Sequence, residues 1–428
     1  MISEPVNEEF LHYLWQQRLF DPASMVASTG ENLEVLDPGI INHDSGPDFF
    51  NAKIRFGSTT WAGNVEIHLR SSDWLRHGHH LDRAYDNVIL QVVVENDVDI
   101  KRAGGQSLSC IEIRYDNRLF DNYMSLVKSE KWIPCEKRIG EAAGTAITGQ
   151  WLDKLAMERL EGKSARLQQM LVENGYDWEG TLYRQLARNF GLKLNGLPFE
   201  MVAVNTPLKI VAKHKDNLMQ VEALLFGQAG MLAEEKGDPY YLQLRREYLY
   251  LRRKYKLEPV ESHLWKFLRL RPSNFPTIRI AQFASLVQGS WGLFSRVIED
   301  PCPEHLRKIF SSTASRYWDN HYVFNRESIR SKKKTGRVML NLLLINTVIP
   351  LLYLYGIKKD DNSCRERAIM LLRKLEAESN SVIDKWKELK IKVPDSFTSQ
   401  ALLHLKKEYC NRRECLRCPA GDYLIRKS

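Results

Sequence analysis

The residues of this chain best suited to chemistry are two carboxylates and an imidazole in two successive strand-like segments. Asp48 precedes the segment 49–56, and Glu66 and His68 lie in the next, 61–69. Side chains alternate along a strand, so Glu66 and His68 share one face, while their apolar neighbours point to the other. A glycine-containing turn between the segments predicts a hairpin that brings Asp48 and Glu66 together. Two such carboxylates would hold a divalent cation, Mg²⁺ or Mn²⁺.

Histidines are concentrated directly after these carboxylates. His68, His77, His79 and His80 fall within 13 residues and are four of the eleven histidines in the chain. We take His77 and His79 as candidate metal ligands and His80 as a weaker candidate; the alternative is a hydrogen-bonding network beneath the strands. The imidazole of His68, with an ordinary pKa of about 6.5, could accept a proton from water or bind the metal. Glu66 beside it is expected to raise that pKa.

The Pro-Asp pair ending at Asp48, followed by the Glu-Ile-His triplet at 66–68, resembles the PD-(D/E)XK nuclease superfamily with its restriction-endonuclease-like fold. The resemblance implies an α/β domain with an αβββαβ core and a cation at Asp48 and Glu66. It also implies metal-dependent hydrolysis of phosphodiester bonds in DNA or RNA. His68 stands where the superfamily has lysine, and we expect it to activate or orient the attacking water.

Two further features extend this resemblance. Several members of the superfamily supply an acidic residue from their first helix, which implies that role for Glu9 or its neighbour Glu8 in the predicted helix 7–19. The alternative is a carboxylate that interacts with the helix dipole. The run from Gly46 to Val93 resembles more closely still a bacterial family known as a domain of unknown function.

Cysteines near the carboxyl end form a second candidate metal site. Cys410, Cys415 and Cys418 have the spacing Cys-x4-Cys-x2-Cys, in which the last two residues form a recurrent zinc half-site. Similar sets of cysteines hold iron–sulfur clusters. The candidates for a fourth ligand are Cys135, Cys364 and His404. Cys135 fits the plan of one upstream and three terminal cysteines found in some nucleases of the resembled superfamily.

Charge is distributed unevenly along the chain. Residues 1–130 contain 11 Lys and Arg and 20 Asp and Glu, a net charge of −9, and the remainder carries +18, which gives +9 in total. An acidic part that could hold cations is thus joined to a basic part that could bind DNA or RNA. The alternative is a set of basic helical surfaces that keep the protein in solution.

Periodicity divides the chain into an α/β part and a mainly helical part. We predict a nuclease-like domain at 1–130, a linker at 131–150, a basic helical domain at 151–400 and a Cys-rich knuckle at 401–428. In the first domain the pattern predicts strands at 33–36, 49–56, 61–69, 87–94 and 111–115 and a helix at 73–86.

The compartment follows from the apolar and cysteine content. The apolar run 338–357 predicts a buried helix that ends near Pro350 rather than a membrane span, because asparagines and proline interrupt it. Seven cysteines without small-domain spacing indicate a reduced, cytoplasmic protein with no membrane partner.

Two other classes of function remain open from the sequence. One is a catalytically inactive nuclease-like protein that binds nucleic acid or supports an assembly, in which His68 marks the lost lysine. The other is a metallohydrolase of small molecules that uses His77 and His79, although the chain lacks the alternating strand and helix repeats of a barrel.

Overall fold

The structure is a computed structural model that describes residues 6–28, 30–102, 105–142, 144, 147, 149–289, 292–299 and 302–427. Contacts within the chain define two compact units. The first consists of Met1–Thr148 and Lys407–Ser428, and the second of Gly149–Lys406. The sequence predicted a linker at 131–150 and a separate knuckle from residue 401, whereas here residues 131–148 and the terminal segment both belong to the first unit.

A mixed six-stranded sheet forms the core of the first unit, in the order β1-β3-β4-β5-β6 with β2 also paired to β3. The strands are β1 (Leu33–Asp37), β2 (Ile40–Ile41), β3 (Phe49–Phe56), β4 (Thr59–Arg70), β5 (Val88–Glu95) and β6 (Cys110–Glu112). β3 is antiparallel to β1, β2 and β4, whereas β4, β5 and β6 are parallel to one another. The predicted order of an α/β region followed by a mainly helical region is confirmed.

Among the described residues, four α-helices accompany this sheet before the chain enters the second unit: α1 (Glu8–Gln17), α2 (Asp73–Arg76), α3 (Asn117–Val127) and α4 (Ile139–Ala142). Helix α1 begins at Asn7, whose side-chain oxygen accepts a hydrogen bond from the N–H of Phe10 at 2.9 Å. Phe10, Leu11 and Leu14 recur at helical spacing and are fully buried, which fixes the polar face of α1 relative to the sheet.

The helix predicted over 73–86 is wrong. Helix α2 ends at Arg76, and Gly78 takes a left-handed conformation with φ of 77°. Two short 3₁₀ turns, His79–Leu81 and Arg83–Tyr85, follow. Glycine adopts this conformation without the steric cost that a side chain would incur, so the chain reverses here instead of continuing as a helix.

In the described part of the second unit, the regular structure is helical apart from a small hairpin of β7 (His321–Val323) and β8 (Arg326–Glu327). Its helices are α5 (Gly149–Glu173), α6 (Trp178–Phe190), α7 (Leu192–Asn205), α8 (Leu208–Ala212), α9 (Leu218–Gln228), α10 (Pro239–Tyr255), α11 (Pro276–Gly289), α12 (Leu293–Glu299), α13 (Pro303–Phe310), α14 (Arg337–Leu343), α15 (Ile349–Lys358), α16 (Asn362–Lys374), α17 (Ser381–Glu388) and α18 (Ser396–His404). The terminal helix α19 (Pro419–Arg426) belongs to the first unit.

The prediction that a helix ends near Pro350 is wrong, because α14 continues through the π-helical turn Leu344–Val348 into α15. Proline has no N–H to donate to the carbonyl of Asn346, four residues earlier. The side-chain amides of Gln185 and Asn189 donate to that carbonyl oxygen instead, at 2.9 and 3.0 Å. The freed backbone acceptor is therefore satisfied, and the helix runs on to Lys358.

Among the described residues, one helix is long and apolar enough to cross a membrane: Arg337–Lys358. Within its most apolar window, 78% of the residues are buried inside the protein. Such burial is what a core helix of a soluble protein shows, since a spanning helix would present apolar side chains to lipid.

Glu222 on α9 is fully buried and is expected to make the stability of the second unit depend on pH. Burial raises its pKa to about 7, although Tyr240 and Ser315 donate hydrogen bonds to it. The folded state therefore binds more protons than the unfolded state between about pH 4.3 and 7, and stability falls as the pH rises through that window. We expect Glu222→Gln to remove about 3 kcal/mol of this pH dependence.

Urea unfolding at pH 5 and pH 8 measures this effect. The exposed Glu235→Gln is the matched control, and it should retain the wild-type dependence. Equal pH dependence in wild type and Glu222→Gln would contradict the assignment.

Candidate metal centres

Neighbouring strands hold the two carboxylates of the first candidate site against each other. Phe49 of β3 is the partner of Val65 of β4, so Asp48 and Glu66 lie at the same point of the sheet. The N–H of Asp48 donates to Glu66 Oε2 at 3.1 Å, and Asp48 Oδ2 accepts from the N–H of Ile67 at 2.8 Å. Each side chain is thus fixed by the backbone of the other strand, which leaves Glu66 Oε1 facing the histidines.

His68 lies beside Glu66 on the same face of β4, as the strand alternation predicts. Both side chains are buried, and His68 Nε2 is 3.5 Å from Glu66 Oε1. The amide nitrogen of Gln91, on the parallel strand β5, lies 3.1 Å from His68 Nδ1 and 3.2 Å from the carbonyl oxygen of Ser71. An amide that donates to both makes Nδ1 an acceptor, so the neutral ring carries its hydrogen on Nε2.

Helix α2 ends at Arg76, and the turn at Gly78 places two more imidazoles, those of His77 and His79, near these residues. His79 Nε2 is 3.2 Å from Glu66 Oε1, and the His79 ring stacks on Tyr85 with 3.9 Å between ring centroids. One ring nitrogen from each of His68, His77 and His79 lies within 4.8 Å of the other two, a spacing at which one metal ion could contact all three. The cluster therefore depends on the early end of α2 and the turn at Gly78, where a continuous helix over 73–86 was predicted.

His12 is a further imidazole of the site, next to Asp48, and has no counterpart among the residues predicted from the sequence. Its Nε2 is 3.3 Å from Asp48 Oδ2. The Nε2 atoms of His12, His68 and His79 are all buried, and none makes a hydrogen bond with the described residues. Buried polar atoms almost always have a partner. Here the three nitrogens lie 3.2 to 3.5 Å from the carboxylates of Asp48 and Glu66 without the geometry of a hydrogen bond, an arrangement that fits a cation and its water ligands.

Burial sets the charges in this site. It raises the pKa of Glu66 well above its usual range, with Asp48 as the second cause, and it lowers the pKa of His68 to about 4, with His79 as the second cause. The expectation of a raised pKa for His68 is therefore wrong: desolvation of the ring lowers the pKa by more than the nearby carboxylates raise it. Glu66 would have to lose its proton to hold a cation, since metal ligands must be deprotonated.

The structure places Glu8, rather than the predicted Glu9, next to Asp48. Glu8 and His12 are four residues apart on α1 and share one face of the helix. Burial raises the pKa of Glu8, and the charge of Asp48 is the second cause. Burial also raises the pKa of Glu9, but there the second cause is Glu414 rather than Asp48; Glu9, Glu414 and His12 line a cavity of about 550 Å³.

This difference can be tested with a matched pair of substitutions. We expect Glu8→Gln to weaken Mn²⁺ binding about tenfold, because it removes a carboxylate close to the ion. Glu9→Gln should leave the affinity unchanged. Titration calorimetry with Mn²⁺ measures both, and equal losses in the two variants would contradict the placement.

The predicted cysteine site also comes together within the first unit. Four cysteines line one small cavity of about 20 Å³ next to Leu126: Cys135, Cys410, Cys415 and Cys418. Cys135 lies far from the other three in sequence. Burial raises the pKa of Cys135 and of Cys415 to about 12, and the charge of Cys418 is the second cause for both. The other two candidates for a fourth ligand, Cys364 and His404, belong to the second unit.

Burial raises the pKa of the Cys418 thiol. Cys418 is the residue before the first turn of α19, and the nearby backbone N–H groups of Gly421 and Ala420 act in the opposite direction, towards the thiolate. At Gly421 a Cβ atom would lie 2.0 Å from the carbonyl oxygen of Cys415, so only glycine allows this approach.

Comparison with known proteins shows the family. The model of the family described as "Protein of unknown function (DUF2851)" matches residues 8–381, most of the chain. The chain therefore belongs to this family, and the predicted resemblance to a domain-of-unknown-function family is confirmed. No curated protein and no solved structure matches the chain.

Proposed function

We propose that the chain is a divalent-metal-dependent nuclease that hydrolyses phosphodiester bonds of DNA or RNA. The observation that carries the proposal is that Asp48 and Glu66, on neighbouring strands, each accept a hydrogen bond from the backbone of the other strand, beside buried imidazole nitrogens that make no hydrogen bond with the described residues. Such an arrangement holds two oxygen ligands in place before any cation arrives. A cation bound there lowers the pKa of a water ligand and polarises a phosphoryl oxygen.

The order and direction of the strands support this proposal. Helix α1 is followed by β1, β3 and β4, each antiparallel to the one before, and then by α2 and the parallel strand β5. That is the αβββαβ order implied by the resemblance to the PD-(D/E)XK superfamily. The two-residue strand β2 is an addition at the edge of β3.

Each side chain of the site has a separate role in this proposal. Asp48 and Glu66 hold the cation, and Glu8 supplies a further carboxylate from α1. Imidazole is a better ligand for Mn²⁺ and zinc than for Mg²⁺, so His77 and His79 favour Mn²⁺. His68 acts as a neutral donor through Nε2–H, because Gln91 occupies its other nitrogen. In place of the lysine of the resembled superfamily, it orients a water or a phosphate oxygen without a fixed charge.

Cleavage assays with four substrates test the proposal. The full chain is incubated with single- and double-stranded DNA and RNA, in Mn²⁺ or Mg²⁺, and with EDTA as the control. We expect cleavage that EDTA abolishes and Mn²⁺ restores, with Mn²⁺ more effective than Mg²⁺. Absence of cleavage for all four substrates would overturn the proposal, and binding without cleavage would leave a catalytically inactive nucleic-acid-binding protein.

A second candidate is a zinc-dependent hydrolase of small molecules, which the three-histidine cluster favours. Three imidazoles and a water form a recurrent catalytic zinc site. The contact from Gln91 counts against this candidate, because it leaves a hydrogen rather than a lone pair on His68 Nε2. Zinc-dependent hydrolysis of a phosphomonoester or an ester, with no cleavage of nucleic acid, would favour it.

For the four cysteines we propose a structural metal group, and the spacing favours an iron–sulfur cluster over a single zinc ion. Zinc bonds of about 2.3 Å in a tetrahedron hold sulfur atoms about 3.8 Å apart. No three of Cys135, Cys410, Cys415 and Cys418, all of them described, offer sulfur atoms within 4.8 Å of one another. A multi-iron core spans a wider set of thiolates.

A further inference from the structure

The second unit contains a cavity of about 420 Å³ that is lined by cationic side chains. None of the residues that line it is Asp or Glu. Its cationic residues come from the segment before α11, from α11 itself and from the segment before α14: Arg271, Arg279, Lys332, Lys333 and Lys334. A concentration of one charge sign at a concave surface attracts ions of the opposite sign.

Arg279 is the buried member of this group and has only neutral partners. Its side chain is about 7% exposed and donates to Gln282 Oε1 at 2.8 Å and to Asn274 Oδ1 at 2.5 Å. Its Nε makes no hydrogen bond with any described residue. Burial lowers its pKa to about 10, so the guanidinium remains charged near neutral pH. A buried cation is normally paired with an anion, and here none is supplied by the residues of the cavity.

Lys333 fixes the segment that carries the neighbouring lysines. Its ammonium donates to the carbonyl oxygens of Asp319 and Ser331 at 3.0 and 2.8 Å and lies 4.1 Å from the centre of the Tyr322 ring. Gln282 donates to the carbonyl oxygen of Lys333 at 3.1 Å. The segment is thus held to the unit, and the lysines on either side of Lys333 are presented at a fixed position.

Lys332 and Lys334 are exposed, as is Arg271, and none of the three forms an ion pair with a described residue. Exposed lysines on most surfaces are solvated singly, whereas these flank a cavity that also contains a buried, unpaired guanidinium. The cavity therefore combines a buried guanidinium at its wall with exposed cations at its edge.

We propose that this cavity is a binding site for a phosphate group. A guanidinium and several ammonium groups match the charge and the oxygen geometry of phosphate. The phosphate belongs either to a nucleic-acid backbone or to a free phosphorylated molecule, and the experiment below separates these sources. The proposal does not depend on catalysis at Asp48 and Glu66.

The test uses the full chain and two double variants that remove the same charge. K332Q/K334Q changes the edge of the cavity, and R253Q/K254Q changes two exposed cations of α10 outside it. All four residues are exposed, so both variants are expected to fold. The probes are inorganic phosphate, compared with chloride at equal ionic strength, and a fluorescein-labelled single-stranded DNA 20-mer.

We expect phosphate to raise the melting temperature of the wild type and of R253Q/K254Q, because a ligand of the native state stabilises it, and K332Q/K334Q to lose this shift. If the natural source is nucleic acid, K332Q/K334Q also weakens oligonucleotide binding about tenfold more than the control does. In this variant the slope of log affinity against log salt concentration should become less steep by about two, since each lost phosphate contact removes about one from the slope. If the source is a free molecule, the two variants bind the oligonucleotide equally.

Two results would overturn the proposal. One is that phosphate does not raise the melting temperature of the wild type and, in addition, K332Q/K334Q and R253Q/K254Q bind the oligonucleotide equally. The other is a loss of the phosphate effect that is the same in K332Q/K334Q and in R253Q/K254Q.

Discussion

Asp48→Asn is expected to reduce metal-dependent cleavage of nucleic acid by at least about 10³-fold, about 4 kcal/mol of transition-state stabilisation. Asparagine has nearly the same shape and can still accept the hydrogen bond from the N–H of Ile67, so the hairpin should persist. What it lacks is the negative charge that holds the cation against Glu66. The rate of cleavage at saturating Mn²⁺, together with the melting temperature, measures the two effects separately.

Asp44→Asn is the matched control for this prediction. Asp44 lies on the same loop as Asp48, four residues earlier, and it is exposed. Its substitution removes the same charge from the same loop and should leave cleavage within about twofold of wild type, as most surface substitutions away from a site do. An equal loss of cleavage rate in the two variants would show a general electrostatic effect and would contradict the role of Asp48 as a metal ligand.

Purified without oxygen and without chelator, the protein is expected to contain iron with an equal amount of acid-labile sulfide, bound at the four cysteines. Cys415→Ser or Cys418→Ser should remove the metal and lower the melting temperature of the first unit by about 10 °C. A structural metal contributes folding free energy directly, and several kcal/mol correspond to such a shift. Elemental analysis and thermal unfolding provide the two measurements.

Cys302→Ser is the control, because Cys302 is exposed and does not line the cavity. It should keep both the metal and the melting temperature. Zinc in place of iron would contradict the cluster while retaining a metal site. A protein with neither metal, whose Cys418→Ser variant melts like the wild type, would leave the four thiols as ordinary buried side chains.

Strand alternation was enough to predict the centre of the first site. It placed Glu66 and His68 on one face, and the short turn before β4 allowed Asp48 to meet them. Gln91 could have been found by the same rule, because it is the one polar residue within the apolar strand Val88–Val94. A buried strand retains such a residue where its hydrogen bonds are used, as they are with His68.

The parts of the site that the sequence did not predict depend on contacts between distant segments. His12 shares the Glu8 face of α1 at a spacing of four residues, but only the packing of α1 decides which face meets Asp48. The helix expected over 73–86 failed because one left-handed glycine reversed the chain. Cys135 was a predicted candidate, but only through the resemblance to the nuclease superfamily: it lies about 280 residues from the terminal cysteines, and periodicity contains no information about contacts over that distance.

The first unit is discontinuous in the chain, and this has a consequence for synthesis. Gly149–Lys406 is inserted between its two parts, so the ribosome completes the whole second unit before it makes the terminal segment. Tyr13 of α1 donates a hydrogen bond to Asp422 of α19 at 2.9 Å, and Asn122 donates to the carbonyl oxygen of Ile425 at 3.0 Å. Those bonds form only after the whole second unit has been synthesised. A stop codon anywhere between residues 149 and 406 would therefore damage the amino-terminal part of the first unit as well, because its partner segment would never be made.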